Sequence, residues 1–183
     1  MKLEVLEKDS FYHIYNRGIN KTNIFSNDEN KVYFLKQYHK YLSEKISTYA
    51  YCLLQNHFHL VIRIDGNPKE VTQSFSNFFN SYAKAYNKAD NRTGSLFEKH
   101  FKRIQVDSEK YLKQLIIYVN LNPQIHFGED FRNYSFSSYK EVMNGSNKIL
   151  ETDQILDHFG GKENFLEVHD IKRISLSQEL TLE

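Results

Sequence analysis

Gln55-Asn56-His57-Phe58-His59-Leu60-Val61-Ile62 sets two histidines on either side of a phenylalanine at the head of an apolar run. In a strand, successive side chains point to opposite faces. His57 and His59 therefore lie side by side, while Phe58, Leu60, Ile62 and Ile64 fill the other face. The spacing predicts a strand over 57–64 that buries one face and carries two imidazoles on the other. Such a pair can be half of a metal site or two solvated side chains, and the spacing alone does not choose.

Working outward, Ile46, Thr48, Ala50, Cys52 and Leu54 alternate with Ser47, Tyr49, Tyr51 and Leu53, and Gln55-Asn56 forms a short turn. This reads as a hairpin that delivers the histidines. Asp65-Gly66-Asn67-Pro68 closes it with strong turn chemistry, and Pro68 suits the first position of a helix. That helix, over 68–88, carries Val71, Phe75, Phe78, Phe79, Tyr82 and Tyr86 in a 3.6-residue rhythm. A first helix is expected over 28–44, with Asp28 as N-cap and Val32, Leu35, Tyr38 and Leu42 as its apolar stripe. A third begins at Asp107 or Ser108, buries Leu112, Leu115, Ile116 and Val119, and is expected to stop at Asn122 because Pro123 follows. Strands over 11–16 and 101–106 complete the series. Strand, helix, hairpin, helix, strand, helix is the order of an α+β, ferredoxin-like βαββαβ unit with a central antiparallel four-stranded sheet and helices packed on it.

After residue 123 the signals thin to an aromatic segment at 134–139, a short acidic helix at 152–159 and a helical stretch from 162 to 173 with a frayed end. At 183 residues the chain is long enough for one domain with a proper core. The lone cysteine, Cys52, cannot form an internal disulfide and suits a reducing compartment. No apolar run approaches the roughly 18 residues of a membrane span, and the first residues carry acids where a signal peptide needs an apolar core. A cytoplasmic protein is expected. Its net charge of +1 conceals an asymmetry: residues 1–125 hold 18 Lys and Arg against 12 Asp and Glu, and residues 126–183 hold 6 against 11. A basic body with an acidic tail suggests a phosphate-binding face, though an uneven surface without a partner has the same composition. Arg92, Lys99, Lys102 and Arg103 form the densest basic cluster, and Arg17 sits in a basic loop beside Gly18, which can take positive φ.

Tyr118-Val119-Asn120-Leu121-Asn122-Pro123 supplies the second half of the argument. Tyr118 and Asn122 are four residues apart and share one helix face. With the His-Phe-His strand, this segment resembles the HUH single-tyrosine transposases, and within them the REP-associated tyrosine transposases. Tyr12-His13-Ile14-Tyr15-Asn16-Arg17-Gly18, Gly94-Ser95-Leu96-Phe97-Glu98-Lys99-His100-Phe101-Lys102 and Tyr134-Ser135-Phe136-Ser137-Ser138-Tyr139 add to the likeness, in the same order along the chain. The chain departs from that pattern at Gln55, where the family is expected to have proline, and at Asn122, where related enzymes often have the longer glutamine.

The resemblance implies a catalytic domain over 1–140 and an acidic helical extension of it over 141–183. It also implies a transposase that nicks and rejoins single-stranded DNA near hairpins through a 5′-phosphotyrosine. Tyr118 would be the nucleophile, His57, His59 and Asn122 the ligands of Mg²⁺ or Mn²⁺, and Arg17, Arg92, Lys99, Lys102 and Arg103 the DNA contacts. Imidazoles by softness favour zinc, copper, nickel or iron, so Mg²⁺ or Mn²⁺ rests on the resemblance. The other histidines, including His13 and His126, read as structural or solvated. Two readings compete: a non-catalytic hairpin DNA- or RNA-binding module on the same fold, and a His-x-His metal hydrolase, which has no carboxylate partner here and leaves Tyr118 unexplained. By the same resemblance the protein is expected in the cytoplasm of a bacterial cell, associated with the nucleoid, as a monomer or a homodimer.

Overall fold

A computed structural model describes residues 4–145 and 149–181, with side chains through Ser175. The strands are β1 (Phe11–Arg17), β2 (Ile46–Leu53), β3 (His57–Ile64) and β4 (Lys102–Val106). The helices are α1 (Asp28–Leu42), α2 (Pro68–Ala89), α3 (Glu109–Phe127), α4 (Ser138–Asn144), α5 (Thr152–Phe159) and α6 (Lys162–Thr181). Sheet order is β2-β3-β1-β4, with every neighbouring pair antiparallel. The hairpin folds β3 in between β1 and β2, giving the expected βαββαβ arrangement.

Alternation divides the sheet into two faces. On one, Ile14, Phe58, Leu60 and Ile62 are fully buried, and α1 and α2 cover them. The Phe34 ring of α1 lies 5.1 Å from Phe58 and 4.8 Å from Phe78 of α2, and Phe79 lies 5.6 Å from Phe58. The aromatic stripe of α2 is thus core, as its periodicity predicted. The other face carries the histidines and receives α3, which packs against β2 and β3.

Several expectations differ in detail. The N-cap of α1 is Asn27, whose side chain accepts from the Asn30 N–H, while Asp28 opens the helix and pairs with Lys31 at 3.1 Å. Its buried stripe runs through Phe34, Tyr38 and Leu42; Val32 is exposed. The last strand, expected over 101–106, begins at Lys102, after a loop over 98–101 and a single bridge between Gly18 and Phe97. α3 continues four residues beyond Pro123 to a left-handed Gly128 cap. Pro123 lacks the N–H that the Val119 carbonyl would receive, but Leu121, Asn122 and Pro123 are all buried, and that packing outweighs the lost bond. The aromatic segment at 134–139 leads into α4, and α6 runs past residue 173 to Thr181. The expected boundary at residue 140 falls within α4. Val142, Ile155, Phe159 and Phe165 join the same buried cluster as the sheet.

Candidate active site

Strand register brings the site residues of β1 and β3 together. His59 lies opposite Tyr15 and His57 opposite Arg17. His13, Tyr15, His57 and His59 therefore share the α3-facing side of the sheet. Ring centroids are 5.2 Å apart for His57 and His59, 5.1 Å for His13 and His59, and 5.8 Å for Tyr15 and His59.

Above them, α3 presents Tyr118, Asn122 and His126, each four residues after the last and hence on one helical stripe. The Tyr118 ring stands 5.8 Å from His59, and the His126 ring 5.1 Å from His57. Asn122 sits between the two ends of that stripe. It is fully buried; its amide nitrogen donates to the Tyr118 carbonyl at 2.7 Å, and its Oδ1 is buried without a hydrogen-bond partner. Tyr118 is 40% exposed and opens onto a cleft of about 710 Å³, whose walls include His57, His59, Arg17, Lys21, Lys102 and His126.

Both imidazoles of β3 are neutral near pH 7. Burial pushes His57 down to about 4, helped by the nearby His126 and Arg17. Burial pushes His59 down to about 2, with His13, His57 and His126 adding to the effect. The His57 Nδ1 lies 2.6 Å from the Asn56 Oδ1, an acceptor, so Nδ1 carries the proton and the Nε2 lone pair is free. Such a hydrogen bond from the far ring nitrogen to a carbonyl is the usual support of a metal-ligating histidine. Among the described residues no three His, Cys, Asp or Glu side chains converge to hold a metal ion. His57 and His59 line the cleft with neutral imidazoles, whereas Asn122 is fully buried and is not among the residues lining it, its Oδ1 left without a partner. Two imidazoles, joined by that oxygen if the amide turned toward them, would suit a divalent cation whose remaining positions are filled by water and phosphate oxygens.

The basic residues divide. Arg17 and Lys102 line the cleft, with Arg17 Nε 2.6 Å from Glu98. Lys99 lines a neighbouring groove that shares Asn16 and Glu98 with the cleft. Arg92 lies over the Tyr86 ring at 5.8 Å. Arg103 is paired in register with Ile14, so its side chain leaves the opposite face of the sheet, where it lies over Phe101 at 5.0 Å. Gly18 has φ of −64°, so positive φ is not its reason for being glycine. A Cβ there would lie 1.9 Å from the Thr22 carbonyl oxygen. Positive φ occurs instead at Asn20 and Lys21.

His126, Lys21, Tyr15 and His13 were not singled out by sequence. His126 was hidden by the expected stop at Pro123; with the helix extended, its spacing of eight from Tyr118 puts it on the same stripe. His13 and Tyr15 share a strand face by simple alternation, but only the β1–β3 register sets them beside His59.

No family model matches the chain, and no curated protein does. Among solved structures, it is similar to a REP-associated tyrosine transposase bound to a REP hairpin, at 15% identity and a TM-score of 0.62, over 81% of this chain and 88% of that one. At that identity the likeness is one of fold, and it extends over most of both chains; the fold of this chain is α+β, a four-stranded antiparallel sheet with helices around it.

Proposed function

We propose that this protein is a tyrosine transposase that cleaves and rejoins single-stranded DNA beside a hairpin, with Tyr118 as nucleophile. The observation that supports this most is the placement of a half-exposed tyrosine ring 5.8 Å from His59, over a cleft that also holds His57, Arg17 and Lys102. A solved structure of the same fold is a tyrosine transposase bound to a REP hairpin, which makes hairpin DNA the first substrate to try.

Arg17, Lys21 and Lys102 would receive the phosphates of a single strand entering the cleft. A phenol ordinarily ionises near pH 10, so it attacks phosphorus only where the phosphate is held in line and its charge is offset. When bound by His57, His59 and the Asn122 oxygen, Mg²⁺ or Mn²⁺ would supply that charge stabilisation. Tyr118 Oη forms the new bond to phosphorus as the bond to the 3′ oxygen breaks. The phenol gives up its proton and the 3′ oxygen takes one up, so no co-reactant is consumed. The products are a 5′-phosphotyrosine and a free 3′-hydroxyl, and attack by a 3′-hydroxyl on the phosphotyrosine rejoins the strand.

Incubation with labelled hairpin-bearing single-stranded DNA and Mn²⁺, followed by a denaturing gel, tests this. A covalent protein–DNA band that disappears in Tyr118→Phe is the expected result. Hairpin binding without any adduct, over a range of hairpins and metals, would favour the competing reading of a non-catalytic hairpin-binding module. The inward turn of the Asn122 amide onto Tyr118 is the feature most in keeping with that alternative.

A further inference from the structure

His59 and His57 solve the same problem with different partners. His57 Nδ1 meets a side-chain carbonyl oxygen, which can only accept. His59 Nδ1 meets the Nε2 of another imidazole, His13, at 2.9 Å. Two neutral imidazoles can share that contact in two ways. If His13 donates, His59 is protonated at Nε2 and turns an N–H toward the cleft. If His59 donates, its Nε2 lone pair faces the cleft and His13 carries its proton on Nδ1.

We propose that His13 is a positioning residue whose Nε2 accepts from His59 Nδ1–H, locking His59 in the tautomer that offers its Nε2 lone pair to the cleft. The proposal rests on the reading of His57 and His59 as ligands of a divalent metal. Three observations carry it. First, the cleft wall is already rich in donors, namely Arg17, Lys21 and Lys102, so an acceptor there is more readily satisfied than another N–H. Second, the lock reproduces the arrangement at His57, giving both histidines an Nδ1–H spent on protein and an Nε2 left free. Third, His13 is held rigidly. It is 7% exposed, lies between Val61 and Ile104 in the sheet register, and its ring lies 4.8 Å from that of Tyr15, tilted by 31°, and 5.1 Å from that of His59. A ring fixed on so many sides leaves His59 little rotational freedom, which is what a supporting partner of a ligand must do.

The test combines a metal readout with one that needs no metal. Long-range ¹H–¹⁵N spectra of the histidine rings report the tautomer directly. In the parent protein His59 should show Nδ1 protonated and Nε2 bare, and His13→Phe, which keeps a ring in the stack but removes the acceptor, should lose that single pattern. Mn²⁺ binding, followed by electron paramagnetic resonance, should weaken about 10–100-fold in His13→Phe. His13→Gln, whose amide oxygen can accept in the same place, should recover most of the loss. Circular dichroism and melting of each variant establish that it folds. His59 found protonated at Nε2 in the parent, or Mn²⁺ bound by a folded His13→Phe as tightly as by the parent, overturns the proposal. If the parent binds no Mn²⁺ while His59 shows Nδ1–H, it is the metal-dependent reading of the site that fails, and the tautomer lock stands.

Discussion

At the scale of single residues, a nucleophile and a packing tyrosine differ in what one hydroxyl contributes. Tyr118 is 40% exposed, so removing its hydroxyl should change stability by no more than about 1 kcal/mol while eliminating the covalent DNA adduct. Chemical denaturation and the adduct gel, run on the same Tyr118→Phe preparation, check both halves. Should the adduct persist at the parent rate, Tyr15 is the residue to change next: it lines the cleft, whereas Tyr111, seven residues earlier on α3, packs against the core. A histidine outside the cleft adds to the acid sensitivity that buried His13, His57 and His59 also confer. His169 is fully buried among Phe165, Phe159 and Tyr139 and paired with Asn120 at 3.1 Å, and burial pushes it down to about 4. Because its ordinary value is about 6.5, the unfolded chain binds the extra proton first as pH falls. The stability it protects is therefore complete above pH 6.5 and drains between 6.5 and about 4, by about 3 kcal/mol if it titrates alone. Urea midpoints measured across that window should fall more gently in His169→Phe than in the parent; parallel curves would exclude His169 as the source.

At the scale of elements, the cleft depends on two pieces of backbone that hold donors in place. One is the turn after β1, where Gly18 hydrogen-bonds to the Asn56 carbonyl at 2.8 Å and so ties the Arg17–Lys21 segment to the hairpin that presents His57. Since a Cβ at Gly18 would meet a backbone oxygen at 1.9 Å, the loop itself must move to admit one. Gly18→Ala should cost more than about 2 kcal/mol and weaken hairpin binding as well, measured by denaturation and by fluorescence anisotropy. Unchanged stability would show that the loop relaxes freely. The other piece is the last turn of α3. Its continuation through Pro123 carries His126 and Phe127 to the cleft mouth, and without that turn the stripe of Tyr118 and Asn122 would end before reaching His57.

Over the whole molecule, the fold sorts a basic composition into side chains that can and cannot meet one DNA strand. Arg17 and Lys102 lie in the cleft, but Arg103 emerges from the other face of the sheet. Arg17→Gln and Lys102→Gln should each lower the slope of log affinity against log salt by about one, while Arg103→Gln leaves it unchanged. Titrations of one hairpin at several salt concentrations discriminate these outcomes. Equal effects from all three would mean that DNA wraps beyond the cleft. The exposed ion pair of Arg17 with Glu98 is no obstacle to a phosphate, because such pairs contribute at most about 1 kcal/mol.

Local pattern was sufficient for much of this. Alternation of polar and apolar residues put His57 and His59 on one face and Phe58 on the other, because strand side chains have a period of two whatever they pack against. The aromatic rhythm of α2 likewise appears in the core where its period placed it, and the strand–helix order led to the sheet. Register and packing were not local. Nothing within β1 alone says that His13 meets His59, since sliding β1 by one residue would turn His13 to the other face. The helix stop expected at Pro123 followed from a correct local cost, which the burial of residues 121–123 overcame, and His126 reached the cleft as a result. Sequence by itself determined the strands, the helices other than α4, the faces and the pairing of Tyr118 with Asn122 on one stripe. Tertiary structure decided which strand lies against the histidines, where α3 ends and which cations face the cleft, because each depends on contacts between residues far apart in the chain.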